Sequence, residues 1–221
     1  MKIDHKNFSH FSYDLWLTLI KSNPQFKSKR NLLFKDFFDV ECSIEKVTEV
    51  VRYYDVLCNN INENNGLNID TYEIYYLILN ALNVKVNDID TKQLNLFYKE
   101  TELLFMEYKP QLVFPKIDSL FEEIKAQGKT MNILSNTGFI KGYTLRKIIA
   151  DYGLEQYFSF QIYSDEVGFS KPNHKIFQLV YDQINSSNEI TKKEVLHIGD
   201  NSIADYDGAI KFGFAAHLLK I

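Results

Sequence analysis

The apolar positions along the chain follow two rhythms, and the prolines mark where one gives way to the other. Residues 9 to 20, SHFSYDLWLTLI, gather aromatic, β-branched and leucine side chains around a single acid, which predicts a buried strand ending at Asp14. From Pro24 to Pro110 the spacing is helical. Ile44, Val47, Val51, Tyr54 and Cys58 recur at three- and four-residue intervals, as do Leu94, Phe97, Thr101, Leu104 and Tyr108. Asp70 with Glu73, and Asp90 with Gln93, have capping-box spacing ahead of apolar runs. The polar stretch NNINENNG, 59 to 66, is expected to be a connecting loop, and Asn31 to Val40 a first helix. The region therefore predicts a bundle of about four helices.

After Pro115 the pattern changes to strand, turn and helix in alternation. Helices are expected near 116–127, 139–151, 173–185 and 203–211, with strands at Thr130 to Leu134, Phe158 to Tyr163, Val195 to Ile198 and Phe214 to Leu218. Such alternation implies an α/β fold: a Rossmann-like parallel sheet covered by helices, which strand 9–14 would join. The expected division is a core from 1–20 and 110–221, with 21–109 as an inserted helical domain.

Composition sharpens that division. Of nine glycines, only Gly66 precedes Gly128, so the turns of the α/β rhythm hold nearly all of them. A net charge of −4 without a basic block argues against nucleic acid as a partner. Cys42 and Cys58 lack metal-ligand spacing and read as reduced thiols. Charges interrupt the N-terminal region, and no run has the roughly 18 apolar residues needed for a bilayer span. The expectation is a soluble, cytoplasmic protein without a membrane partner.

Ligands of open α/β sheets bind beyond the carboxyl ends of the strands. The residues leaving those ends are Asp14 with Thr18, Ser135 with Asn136, Ser164 running on to Lys171, and Asp200 with Asp205. Carboxylates from separate strands, converging with a hydroxyl and a lysine, would suit a hard cation and a phosphate. Four segments, YDLWLT (13–18), ILSNTG (133–138), SKPNHKIF (170–177) and HIGDNSIADYDGA (197–209), occur in the order and with the spacing of four motifs. In these the chain resembles the haloacid dehalogenase-like (HAD) superfamily of phosphohydrolases. The helical insert falls where that family places a C1 cap.

The resemblance implies a Mg²⁺-dependent phosphohydrolase acting on a small phosphorylated metabolite, as a monomer or homodimer. It assigns Asp14 as the nucleophile that forms an aspartyl-phosphate. It places Asp14, Asp200, Asp205 and the main-chain carbonyl of Trp16 around the metal, and Ser135, Asn136 and Lys171 at the phosphoryl oxygens. Thr18 would support the loop after the nucleophile.

Position 16 departs from the pattern, because phosphatases of this family carry there a second Asp that protonates the leaving oxygen. An indole does not titrate near neutral pH, and general acid–base catalysis typically contributes roughly 10²- to 10⁴-fold. Ordinary alkyl phosphates should be poor substrates unless the cap supplies an acid. Good leaving groups, or binding without efficient turnover, are the other outcomes.

Two branches of the family dispense with that Asp. Dehalogenases lack the metal-binding acid of the fourth motif, which Asp200 retains here. Phosphonate-cleaving members need a cap lysine, and nothing in the sequence selects among Lys27, Lys29 and Lys35. His197 reads as a satisfied core residue, Asp207 as a solvated acid and His174 as a surface residue close enough to serve as an acid.

Overall fold

The structure, a computed structural model, describes residues 7–186 and 189–220. Its first strand, β1 (His10–Tyr13), is fully buried, and the chain then turns through Leu17, which adopts φ 59°, into the short strand β2 (Ile20–Lys21). Four helices follow: α1 (Pro24–Phe37), α2 (Ile44–Asn65), α3 (Thr71–Ala81) and α4 (Thr91–Glu107). The strand β3 (Gln111–Leu112) returns antiparallel to β2, pairing Ile20 with Leu112 and Lys21 with Gln111, so the entry and exit of the insert are tied side by side.

The remainder alternates helix and strand: α5 (Ile117–Ala126), β4 (Thr130–Ser135), α6 (Gly142–Asp151), β5 (Phe160–Tyr163), the single turn α7 (Ser164–Val167) and α8 (His174–Asn185). It ends with β6 (Val195–Gly199), α9 (Gly208–Phe212) and β7 (Ala215–Leu218). The five long strands form one parallel sheet in the order β5-β4-β1-β6-β7. The chain winds outward in both directions from β1, and the crevice at its carboxyl end is the expected ligand position. This is the α/β class that the sequence rhythm predicts.

Two apolar clusters account for the helices of the insert and their seat. Phe34, Val47, Val51, Cys58, Ile74, Ile78, Leu94 and Phe97 pack on one another within the bundle. Phe26 and Phe105 belong instead to the cluster of β1 and its flanking helices, where Trp16 also packs. Both capping boxes are present, Asp70 with Glu73 and Asp90 with Gln93. Both cysteines are free thiols. No helix among the described residues is long and apolar enough to cross a membrane.

Several boundaries differ from the sequence reading. The first insert helix starts at Pro24 rather than Asn31, with Pro at the first turn and the Asn23 side chain accepting from the Gln25 amide. Residues 59–65 are the last two turns of α2 and not a loop; the helix stops only at Gly66, which takes φ +70°. The expected 203–211 helix is a wide π turn over Ser202–Asp207 followed by α9.

Candidate active site

The carboxyl ends of β1, β4 and β6 deliver Asp14, Ser135 with Asn136, and Asp200 to one edge of the sheet. A cleft of about 350 Å³ opens there, walled on the sheet side by Asp14, Trp16, Asn136, Lys171, Asp200 and Asp205. The opposite wall comes from the insert: Lys27 and Arg30 of α1, and Asp55, Asn59 and Glu63 of α2.

At the floor, Lys171 is almost wholly buried and its Nζ donates to Asp14 Oδ1 at 2.6 Å, to Asp205 Oδ1 at 2.6 Å and to the Leu134 carbonyl at 2.8 Å. These three acceptors use all the protons of an ammonium. Burial alone would lower the Lys171 pKa, but Asp14 and Asp205 outweigh it and hold the lysine charged. Asn136 fixes the lysine backbone: its Oδ1 accepts from the Lys171 amide at 2.7 Å, and its Nδ2 donates to the Lys171 carbonyl at 3.0 Å.

Asp205 is held from every side. Oδ1 receives Lys171 and also meets His197 Nε2 at 3.1 Å, while Oδ2 accepts from the Asn201 amide at 3.0 Å. Burial opposes its charge, but Lys171 and His197 prevail and keep it below the usual carboxylate range. Gly199 lets it come so close, since a Cβ there would stand 2.2 Å from Asp205 Cγ. Asp14 differs: burial pushes its carboxyl up to about 7, with Lys171 opposing and Asp205 and Asp200 adding to the rise. Its Oδ2 has no hydrogen-bond partner among the described residues. Asp200 is half-buried and its pKa is raised, first by burial and then by Asp205.

Ligand atoms of Asp14, Asp200 and Asp205 lie within 4.8 Å of one another. Three acids share one lysine, so the cluster carries a deficit of positive charge that a divalent cation on hard oxygen ligands would meet. Asp14 and Asp200 have carboxylate oxygens to offer, whereas both oxygens of Asp205 already have protein partners.

The other sequence candidates divide. Ser135 is fully buried, outside the cleft walls, and its hydroxyl donates to the Asn136 carbonyl at 3.1 Å. Thr18 is buried without a hydrogen-bond partner for its hydroxyl. Trp16 is half-buried beside Phe105, ring centroids 6.2 Å apart. His197 is the satisfied core residue expected, with Nδ1 at 3.0 Å from Ser12 Oγ, and it additionally steadies Asp205. His174 is exposed, lies against Phe212 and does not line the cleft. Asp207 is exposed as expected. Of the three insert lysines only Lys27 reaches the cleft, while Lys35 donates to the Val40 carbonyl. Arg30, Asn59 and Glu63 were not singled out from the sequence, because Arg30 precedes the expected first helix and 59–66 reads as a loop.

A parallel sheet that presents an acid cluster and a buried lysine at its switch point is a ligand-binding site of the α/β class. A model of the haloacid dehalogenase-like hydrolases matches residues 18–213, and the chain belongs to that family. Asp14 and Trp16 precede the matched stretch. The chain is 26% identical over 201 residues to a glyceraldehyde 3-phosphate phosphatase of Methanothermobacter thermautotrophicus, covering 83% of this chain and 84% of that one. It is also 26% identical over 144 residues to (S)-2-haloacid dehalogenase 2 of a Pseudomonas species, covering 65% and 55% of the two. Among solved structures, a protein described as a HAD-hydrolase, YfnB of Bacillus subtilis, bound to magnesium, superposes with a TM-score of 0.71 at 19% identity, over 97% of this chain and 89% of that one.

Proposed function

We propose that the chain is a metal-dependent phosphohydrolase that acts on small phosphorylated molecules through a covalent intermediate on Asp14, with the insert as its cap. The observation that carries this reading is the Asp14, Asp200 and Asp205 cluster about a buried Lys171. Mg²⁺ held by Asp14, Asp200 and the Trp16 carbonyl, with Asp205 behind, would neutralise charge on the phosphoryl oxygens.

Asp14 attacks phosphorus through Oδ2 as the phosphorus–oxygen bond to the leaving group breaks, and water then hydrolyses the aspartyl-phosphate to inorganic phosphate and restores Asp14. Oδ1 would be the oxygen turned to the metal. The Lys171 ammonium, its protons already given to Asp14, Asp205 and the Leu134 carbonyl, acts on the transferring group as a fixed positive charge. Asp14 and Asp205 keep Lys171 charged, His197 steadies Asp205, and Asn136 holds the lysine backbone. Ser135 would contact the phosphoryl group only after its hydroxyl leaves the Asn136 carbonyl. Nothing at position 16 can protonate a leaving oxygen, so substrates whose leaving group departs as a stable anion are favoured. Acyl and aryl phosphates fit this description.

The test is hydrolysis of acetyl phosphate and p-nitrophenyl phosphate with Mg²⁺ and with chelator. Turnover should require the metal and vanish in Asp14→Asn; an unchanged rate in that variant refutes the proposal. Trp16 also favours a second reading, cleavage of a carbon–halogen bond, because a halide needs no proton to leave. Halide release from a 2-haloacid without Mg²⁺ would establish it over the first, and the retained Asp200 speaks against it.

A further inference from the structure

Arg30 is the buried charge that the proposed chemistry leaves unused. It lies on α1, is 8% exposed and forms part of the cleft wall facing Asp14. Its guanidinium stands 4.3 Å from the Phe139 ring centroid and 5.8 Å from that of Phe26. Nε and one terminal nitrogen donate to Asn31 Oδ1, a neutral acceptor, at 3.3 and 3.1 Å. Among the described residues no carboxylate lies within ion-pair distance of it, and Asp55 on the same wall is paired with Arg52 at 3.0 Å. Asp55 attracts the guanidinium only from beyond ion-pair distance and does not offset its burial, and a desolvated cation without a directly paired anion is costly. Packed against the Phe139 ring, it lines a cleft of about 350 Å³ and is available to whatever fills that space.

We propose that Arg30 determines specificity by binding a second anionic group of the substrate, a carboxylate or second phosphate, on the side remote from the phosphoryl group at Asp14. This rests on the phosphohydrolase reading. The planar guanidinium suits bidentate contact with either oxyanion. Lys27, one turn earlier and exposed at the mouth of the cleft, adds charge of the same sign. The substrate is therefore a small phosphorylated acid or bisphosphate rather than a singly phosphorylated neutral alcohol.

Binding of non-hydrolysable probes tests this without turnover. The full chain with Mg²⁺ is titrated calorimetrically with propylphosphonate, 3-phosphonopropionate and 1,3-propylenediphosphonate. One or both dianionic probes should bind roughly 10- to 100-fold tighter than propylphosphonate, the range of a charge-assisted hydrogen-bonded pair. Whichever of the two wins identifies carboxylate or phosphate as the second group. Arg30→Gln should collapse that ratio toward one.

Equal binding of all three probes, or an Arg30→Gln protein that keeps the ratio, overturns the inference. Should Arg30→Gln fail to fold, Arg30→Lys replaces it: a reduced ratio supports the role, and an unaltered one overturns it. Turnover of p-nitrophenyl phosphate, measured separately, tests the phosphohydrolase reading. Failure there with a preserved, Arg30-dependent binding ratio removes the catalysis and leaves the anion site.

Discussion

At the scale of single residues, the site is organised by which carboxylate oxygens are already spoken for. Asp205 has its oxygens filled by Lys171, His197 and the Asn201 amide, so it acts as a fixed anion beneath the lysine. Asp14 gives only Oδ1 to Lys171 and has no hydrogen-bond partner at Oδ2 among the described residues. Trp16 packs against Phe105, which in turn meets Phe26 at 4.9 Å, so the side chain at position 16 helps seat the insert on the sheet. Trp16→Asp should therefore do two opposite things. Activity on alkyl phosphates relative to aryl phosphates should rise, while the melting temperature falls, because loss of a large aromatic contact costs on the order of 2–3 kcal/mol. A stable variant with unaltered substrate ratio would show that neither packing nor proton supply depends on this side chain. Asp14, Lys171 and Asp200 could be named from the sequence because their motifs are local. Arg30 could not, because its significance lies in what surrounds it after folding.

At the scale of elements, α2 shows where hydrophobic periodicity stops being informative. Its first four turns carry an apolar stripe, and its last two, NNINENN, carry none because Asn59 and Glu63 face the cleft. Those turns are held by polar contacts: Asn62 Oδ1 accepts from the Ile69 amide at 3.0 Å, and Asn201 Nδ2 donates to Glu63 Oε2 at 2.8 Å. A helix face that lines a polar site reads as a loop by composition. The lone early glycine ends this helix at Gly66, whose carbonyl accepts from Asn173 Nδ2 at 3.0 Å and the Ser170 amide at 3.1 Å. A Cβ at Gly66 would meet Asn173 at 2.8 Å and oppose its φ of +70°. Gly66→Ala should destabilise by more than about 1 kcal/mol, read as a shift in denaturant midpoint, and should weaken substrate binding by loosening the insert from the segment that carries Lys171. An unshifted midpoint would contradict this account of the junction.

At the scale of the whole molecule, the alternation after Pro115 made the parallel sheet legible, since each strand is short, apolar and followed by a turn. The β2–β3 pair that ties the two ends of the insert was not legible, because two-residue strands carry no periodicity. Stability is also coupled to pH through the sheet interior. His10 in β1 contacts Asn132 Oδ1 at 2.8 Å and Thr130 Oγ1 at 2.7 Å, and burial lowers its pKa from 6.5 to about 4. Between those values the unfolded chain binds the proton and the folded chain does not, so this contribution to stability is complete above pH 6.5. It is lost as pH falls toward 4, by about 3 kcal/mol. The difference in unfolding free energy between the protein and His10→Gln should therefore shrink across that window; a difference independent of pH would contradict the buried neutral histidine.

In the proposed reaction Asp14 carries the phosphoryl group during turnover. The most direct test is acid quenching of the protein during Mg²⁺-supported hydrolysis of p-nitrophenyl phosphate, followed by mass analysis of the peptide that contains Asp14. One phosphoryl group is expected on that peptide, removed by hydroxylamine and absent in Asp14→Asn. Sustained turnover with Asp14 unmodified at every quench time, and retained in Asp14→Asn, would contradict it.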